Sequence, residues 1–145
     1  MTKPFSLQTV LDLMQIRSDE ATRQLASLIA NERDAKNKLE MLQKYRDEYA
    51  IRLGEAARNG VNQREWQNFQ VFLGRLDEAI DAQRKAVAAQ IKRKEAGQEL
   101  WQQQRRKLKA FDTLSNRHAK SERDHELRQE QKLQDEFAER RYDKE

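Results

Sequence analysis

From Leu11 to Ala56, apolar residues recur at alternating three- and four-residue steps: Leu11, Met14, Ala21, Leu25, Leu28, Ala35, Leu39, Leu42, Tyr49, Leu53 and Ala56. Only Ser18, Glu32 and Arg46 interrupt the series. A 3.5-residue period lays one stripe of a helix along a partner helix. It predicts a first helix over about 5–58, with Ser6 as N-cap and Pro4 confined to its start. The pairs Glu32–Lys36, Asp34–Lys38, Glu40–Lys44 and Glu48–Arg52 place the acid four residues before the base, the favourable orientation on a helix.

Asn59-Gly60 suits a left-handed turn, so 59–61 reads as the connection. Asn62 then serves as N-cap with Glu65 at the third helical position, and Val61 and Trp66 are placed to staple the chain's entry. The second helix is predicted over about 62–140. Its apolar series is Trp66, Phe69, Leu73, Leu76, Ile80 and Val87. The pattern loosens through Ile91 and Gly97 and recovers at Trp101, Leu108 and Phe111, so 88–100 reads as a stutter. Past Leu114 the chain is highly charged, with Leu127, Leu133 and Phe137 at helical spacing.

A short turn makes the helices antiparallel neighbours. The predicted fold is all-α: a long antiparallel two-helix coiled coil, one domain over 1–145, with 117–145 an overhanging charged tail. At ~1.5 Å per residue the helices span roughly 80 and 120 Å. With the turn at 59–61, residues whose numbers add to about 121 lie opposite each other.

Composition agrees with a thin seam between helices. The chain is 37% charged and 37% hydrophobic, with one Pro and four Gly, too polar to surround a globular core. It has no Cys, which excludes disulfides and thiolate chemistry and fits a reducing compartment. No apolar run reads as a signal peptide or a membrane span, so a cytoplasmic location is expected. The net charge of +4 is concentrated: Arg84 to Lys109 holds nine basic and two acidic residues. A basic run of this kind suits nucleic acid, an acidic protein surface or lipid headgroups. Only Trp101 interleaves it, and the cations spread around the helix, which disfavours specific nucleic-acid binding.

The apolar surplus near the turn is more informative. One seam holds about two residues in seven, yet Leu42, Tyr45 and Tyr49 form a stripe displaced from Leu39 and Leu53. Phe72, Leu76 and Ala79 form a matching stripe on the other helix. The two stripes are expected side by side, as an uncovered patch of the kind that marks an interface. The alternative is ordinary core: a shift in coiled-coil phase moves Leu42, Tyr49 and Leu76 inward.

The segments Met41-Leu-Gln-Lys-Tyr45-Arg-Asp-Glu-Tyr49 and Arg64-Glu-Trp66-Gln-Asn-Phe69-Gln-Val-Phe72-Leu-Gly-Arg-Leu76-Asp-Glu-Ala-Ile80 resemble the flagellar export protein FliJ family, over roughly residues 5–115. The resemblance implies an antiparallel coiled coil similar to that of the rotary ATP synthase γ subunit. It implies a component of flagellar type III secretion that inserts into the hexameric export ATPase, links that ring to the membrane export gate, and meets export chaperones. It places the gate-binding surface on Leu42, Tyr45, Tyr49, Phe72, Leu76 and Ala79. Lys38 and Gln83 depart from the family's Gln and His at the patch's end, which puts its polar rim in question. It also implies peripheral association with the inner face of the membrane at the flagellar base. Arg123, Arg128, Arg140 and Arg141 of the tail are the candidate contacts inside the ATPase pore.

Other chemistry is weak. His118, Glu122 and His125 share helical spacing, but a fourth metal ligand is missing from the pattern. No phosphate-binding, zinc-protease or nucleophile-elbow motif occurs. No cofactor is expected, and a binding role is favoured over an enzyme. The readings left open are the equivalent stalk of a virulence secretion system, a basic helical nucleic-acid-binding protein, and a structural homo-oligomeric coiled coil.

Overall fold

The computed structural model describes the backbone of residues 2–143 and the side chains of 7–143. Two helices, α1 (Thr2–Asn59) and α2 (Gln63–Asp143), pack against each other, and no strand occurs among the described residues. Helix α1 begins at Thr2, ahead of the expected start. Pro4 is thereby inside the first turn, where a helix has unpartnered N–H groups in any case. The expected Ser6 cap lies outside the described side chains.

The turn forms as its residues dictate. Gly60 takes φ of 86°, a left-handed conformation that costs glycine little. The Glu65 backbone N–H donates to Asn62 Oδ1 at 2.8 Å, closing the N-cap of α2. Of the four predicted acid–base pairs, Glu32–Lys36 closes at 3.2 Å. The other three make no ion pair among the described residues.

The chain divides into two compact units, each containing part of both helices: 21–101, which holds the turn, and 1–20 with 102–145. In the turn unit, Ala21, Ile80 and Val87 are buried, and Leu25, Leu28, Ala35, Leu39, Leu42, Leu53, Leu73 and Leu76 are half-buried. In the other unit Met14 and Ser18 are buried, with Leu7, Leu11, Leu108 and Phe111 half-buried.

The expected stutter over 88–100 is absent. Buried and half-buried residues of α2 step without a break through Leu76, Ile80, Gln83, Val87, Gln90, Lys94, Gly97, Trp101 and Gln104. This is the alternating three–four rhythm of a coiled coil, with polar side chains in the seam positions. Gly97 fits because Leu28 occupies its space: a methyl carbon there would come to 2.5 Å from Leu28 Cδ1. One turn on, Trp101 Nε1 donates to Thr22 Oγ1 at 3.0 Å. Close packing at this notch replaces the missing side chain.

The interruptions in α1 are likewise seam residues. Ser18 and Glu32 are buried, and Arg46 is half-buried.

From Ala119 to Asp143 every described residue is exposed. Leu127, Leu133, Phe137 and Tyr142 are 61–82% exposed. This stretch is helical through its backbone hydrogen bonds and buries no apolar face.

Candidate partner-binding site

The site begins with the offset between neighbouring residues on a helix. Tyr49 sits in the seam series of α1, whereas Tyr45, four residues earlier, lies beside it. Tyr49 packs its ring on two aromatics of α2, Phe69 at 5.4 Å and Phe72 at 4.5 Å between centroids, both tilted by 52°. Such tilted contacts align the negative ring face with a positive edge. They fix how α1 and α2 meet near the turn.

Beyond this cluster the surface is uncovered. Tyr45 is 58% exposed and Phe72 is 40% exposed. Leu42, Tyr49, Leu76 and Ala79 are half-buried. Tyr45, Phe72 and Ala79 each directly precede a seam position, Arg46, Leu73 and Ile80, and so border the seam on one flank of the turn unit. Leu42, Tyr49 and Leu76 are instead half-buried seam positions, as the alternative of a shifted phase expects. The two stripes meet where expected, at Tyr49 and Phe72. Tyr49, Leu42 and Leu76 also serve the seam, so the patch is an apolar floor with Tyr45 and Phe72 raised at its edges.

The polar rim has unequal members. Lys38 is exposed. Gln83 is half-buried and turns inward, its Nε2 donating to the Ala35 carbonyl at 3.0 Å across the seam. Its amide is thus held by α1 in the free chain.

The opposite flank is closed by charge. Arg46 Nε lies 2.7 Å from Asp77 Oδ1, and this pairing holds the guanidinium pKa above its ordinary value. Arg84 pairs with Asp81 at 3.5 Å. These four residues, with Gln43, Asp47 and Ile80, line a shallow polar groove.

Deeper in the seam, Glu32 is held by two lysines, Lys94 at 2.6 Å and Lys36 at 3.2 Å. The hydrogen bond from Lys94 lowers the Glu32 pKa; burial opposes that shift and Lys36 adds to it. Sequence reasoning left Glu32 and Arg46 as unexplained interruptions. The antiparallel register alone would not have placed them: a sum of about 121 puts Ala89 and Arg75 opposite, and the partners Lys94 and Asp77 lie five and two positions further along α2.

The tail arginines do not form one cluster. Leu133, Phe137, Ala138, Arg141 and Tyr142 line one open surface, and Arg140 borders Phe137 as well. Arg123 stands one turn before Leu127 on the same side, whereas helical spacing puts Arg128 on the far side. His118 and His125 turn to local partners: His118 Nε2 is 3.1 Å from Glu122 Oε1, and His125 Nε2 is 3.2 Å from Gln129 Nε2. No metal-binding group of His, Asp or Glu is found among the described residues.

These features define an all-helical hairpin protein with a mixed polar and apolar seam and one aromatic flank left open beside the turn. The profile of the family described as "Flagellar FliJ protein" matches residues 2–145. The chain belongs to the flagellar FliJ family. It is 30% identical over 140 residues to a flagellar FliJ protein of Salmonella typhi, spanning 97% of this chain and 95% of that one. It is 29% identical over 140 residues to the flagellar FliJ protein of Escherichia coli strain K12, with the same coverage.

Proposed function

We propose that this chain is a non-enzymatic stalk and adaptor of the flagellar type III export apparatus. In this reading it enters the hexameric export ATPase ring and links that ring to the cytoplasmic part of the membrane export gate. The observation that carries it is the open aromatic flank on a family member. Tyr45, Phe72, Leu76 and Ala79 form an apolar surface beside the turn, and aromatic anchors of this type dominate binding energy at interfaces. The gate is assigned to this flank. The ATPase is assigned to the exposed tail, where Phe137 is bordered by Arg140 and Arg141. Export chaperones are the further partners.

No helix among the described residues is long and apolar enough to cross a membrane. Attachment at the inner face of the membrane is therefore proposed to go through the gate protein. Two affinity measurements test the reading, one with purified flagellar export ATPase and one with the soluble part of the gate. Removing residues 118–145 is expected to spare the helical signal of the rest and abolish ATPase binding; unchanged affinity rejects insertion through the tail. Phe72→Ala is expected to weaken gate binding and leave ATPase binding intact. Equal loss of both would place the aromatic flank in folding rather than in recognition.

A further inference from the structure

The seam contains charges that the proposed function does not use. Glu32 has a side chain only 8% exposed and meets Lys94, itself 26% exposed, at 2.6 Å. The heptad places Gln90 beside this pair, and its Oε1 is buried without a hydrogen-bond partner. Two heptads nearer the turn, Arg46 meets Asp77 at 2.7 Å. All four charged residues belong to the turn unit. Replacing a buried ion pair such as Glu32–Lys94 with well-packed apolar side chains often raises stability, and the Arg46–Asp77 pair, 38% and 51% exposed, contributes little. These charges are thus a poor way to strengthen a seam and a good way to choose what it pairs with.

The competitor is a second copy of the same chain. Straightened at 60–62, two chains have enough helix to pair along the seam stretches of α1 and of α2 as far as Ser115. In a parallel pair of identical helices every seam position meets itself. Glu32 would then face Glu32, Arg46 would face Arg46 and Lys94 would face Lys94. Each contact buries like charges, which is destabilising. In the hairpin the same residues meet opposite charges or solvent.

We propose that Glu32, Arg46 and Lys94 are partner-selecting residues. They make α2, in antiparallel register, the preferred mate for α1 and bar parallel self-pairing of two copies. The surface concerned is the seam, and the excluded partner is the protein itself. This inference is independent of the export reading, because it concerns the chain with no foreign partner present.

The test uses the full chain, which has no cysteine of its own. A single Leu39→Cys change places one thiol in the seam, where a disulfide between two copies forms only if their helices run parallel and in register. A Ser27→Cys control places the thiol on the exposed outer face. In the otherwise unchanged chain, Leu39→Cys is expected to give no more disulfide dimer than the control, and light scattering is expected to give the monomer mass. In the triple variant Glu32→Leu, Arg46→Leu, Lys94→Leu, the mass is expected to double at high concentration, and Leu39→Cys is expected to cross-link efficiently. A charge exchange, Glu32→Lys with Lys94→Glu, guards against a mere loss of folding: it keeps the opposite charges of the hairpin and is expected to remain a monomer. Parallel cross-linking of the unchanged chain, or a triple variant that stays helical and monomeric, overturns the proposal.

Discussion

The two flanks of the turn unit are made by the same helices and by neighbouring residues, yet they have opposite character. Tyr45 and Leu76 contribute to an open apolar flank. Arg46 and Asp77, each one position on, close the other flank with an ion pair of 2.7 Å. On a helix one residue is a rotation of about 100°, so a single step in sequence decides which side a residue serves. A two-helix protein has no interior in which to keep a binding pocket. What it can vary is the treatment of its two sides, and here one is left unfinished beside the turn.

Breaking the seam between the flanks has the largest expected effect. Ile80 is 5% exposed and borders the polar groove. Ile80→Asp is expected to cost at least about 3 kcal/mol, because it buries a charge without a partner. Both flanks should be lost together, seen as a drop in helical circular dichroism and in Tm.

A cleaner separation comes from the aromatic side. On the proposed assignment of the gate to this flank, Tyr45→Ala and Phe72→Ala are expected to weaken gate binding by about tenfold or more, as truncation of an interface anchor does. Tyr45→Ala should leave Tm nearly unchanged, given its exposure. Phe72→Ala should lower stability by about 1 kcal/mol through loss of the ring contact with Tyr49. Isothermal titration and thermal melts separate the two effects. A large fall in Tm with Tyr45→Ala would show that the open flank is part of the core.

The charged side should give the converse result. Arg46→Ala is expected to lower Tm slightly, by less at high salt, and to leave gate binding unchanged. A loss of gate affinity would mean that the polar flank also recognises the partner.

The smallest effect concerns pH. Glu32 has a folded pKa below its ordinary value, so it binds protons less readily in the folded chain than in the unfolded one. Its stabilising contribution is present above the unfolded pKa, about 4.3, and is lost as pH falls through the folded value. Thermal melts between neutral and acid pH should show a shallower acid slope for Glu32→Gln than for the unchanged chain.

The first helix was readable because its seam is mostly apolar and its period is regular. The turn was readable because Asn59-Gly60 and Asn62 with Glu65 have specific local chemistry. The middle of α2 was not, because Gln83, Gln90, Lys94, Gly97 and Gln104 occupy seam positions where a hydrophobicity pattern registers nothing. Gly97 misled in particular: as a local signal it weakens a helix, and only the close approach of Leu28 explains it. Tyr45, Phe72 and Ala79 were legible as apolar side chains beside the seam, whereas Leu42, Tyr49 and Leu76 belong to the seam itself. That Gln83 turns inward to the Ala35 carbonyl depends on a contact between residues 48 apart in sequence, which no local pattern encodes.

The far end of α2 has a consequence for anyone redesigning its length. Continuing the seam rhythm beyond Ser115 selects His118, Glu122, His125, Gln129, Lys132, Glu136 and Glu139, all hydrophilic. The greasy side chains of that stretch, Leu133 and Phe137 among them, point elsewhere around the helix. Grafting extra turns onto the start of α1 would therefore find no adhesive strip waiting for them. The zipper's finishing point is written into α2, and elongating α1 alone leaves the added teeth unmeshed.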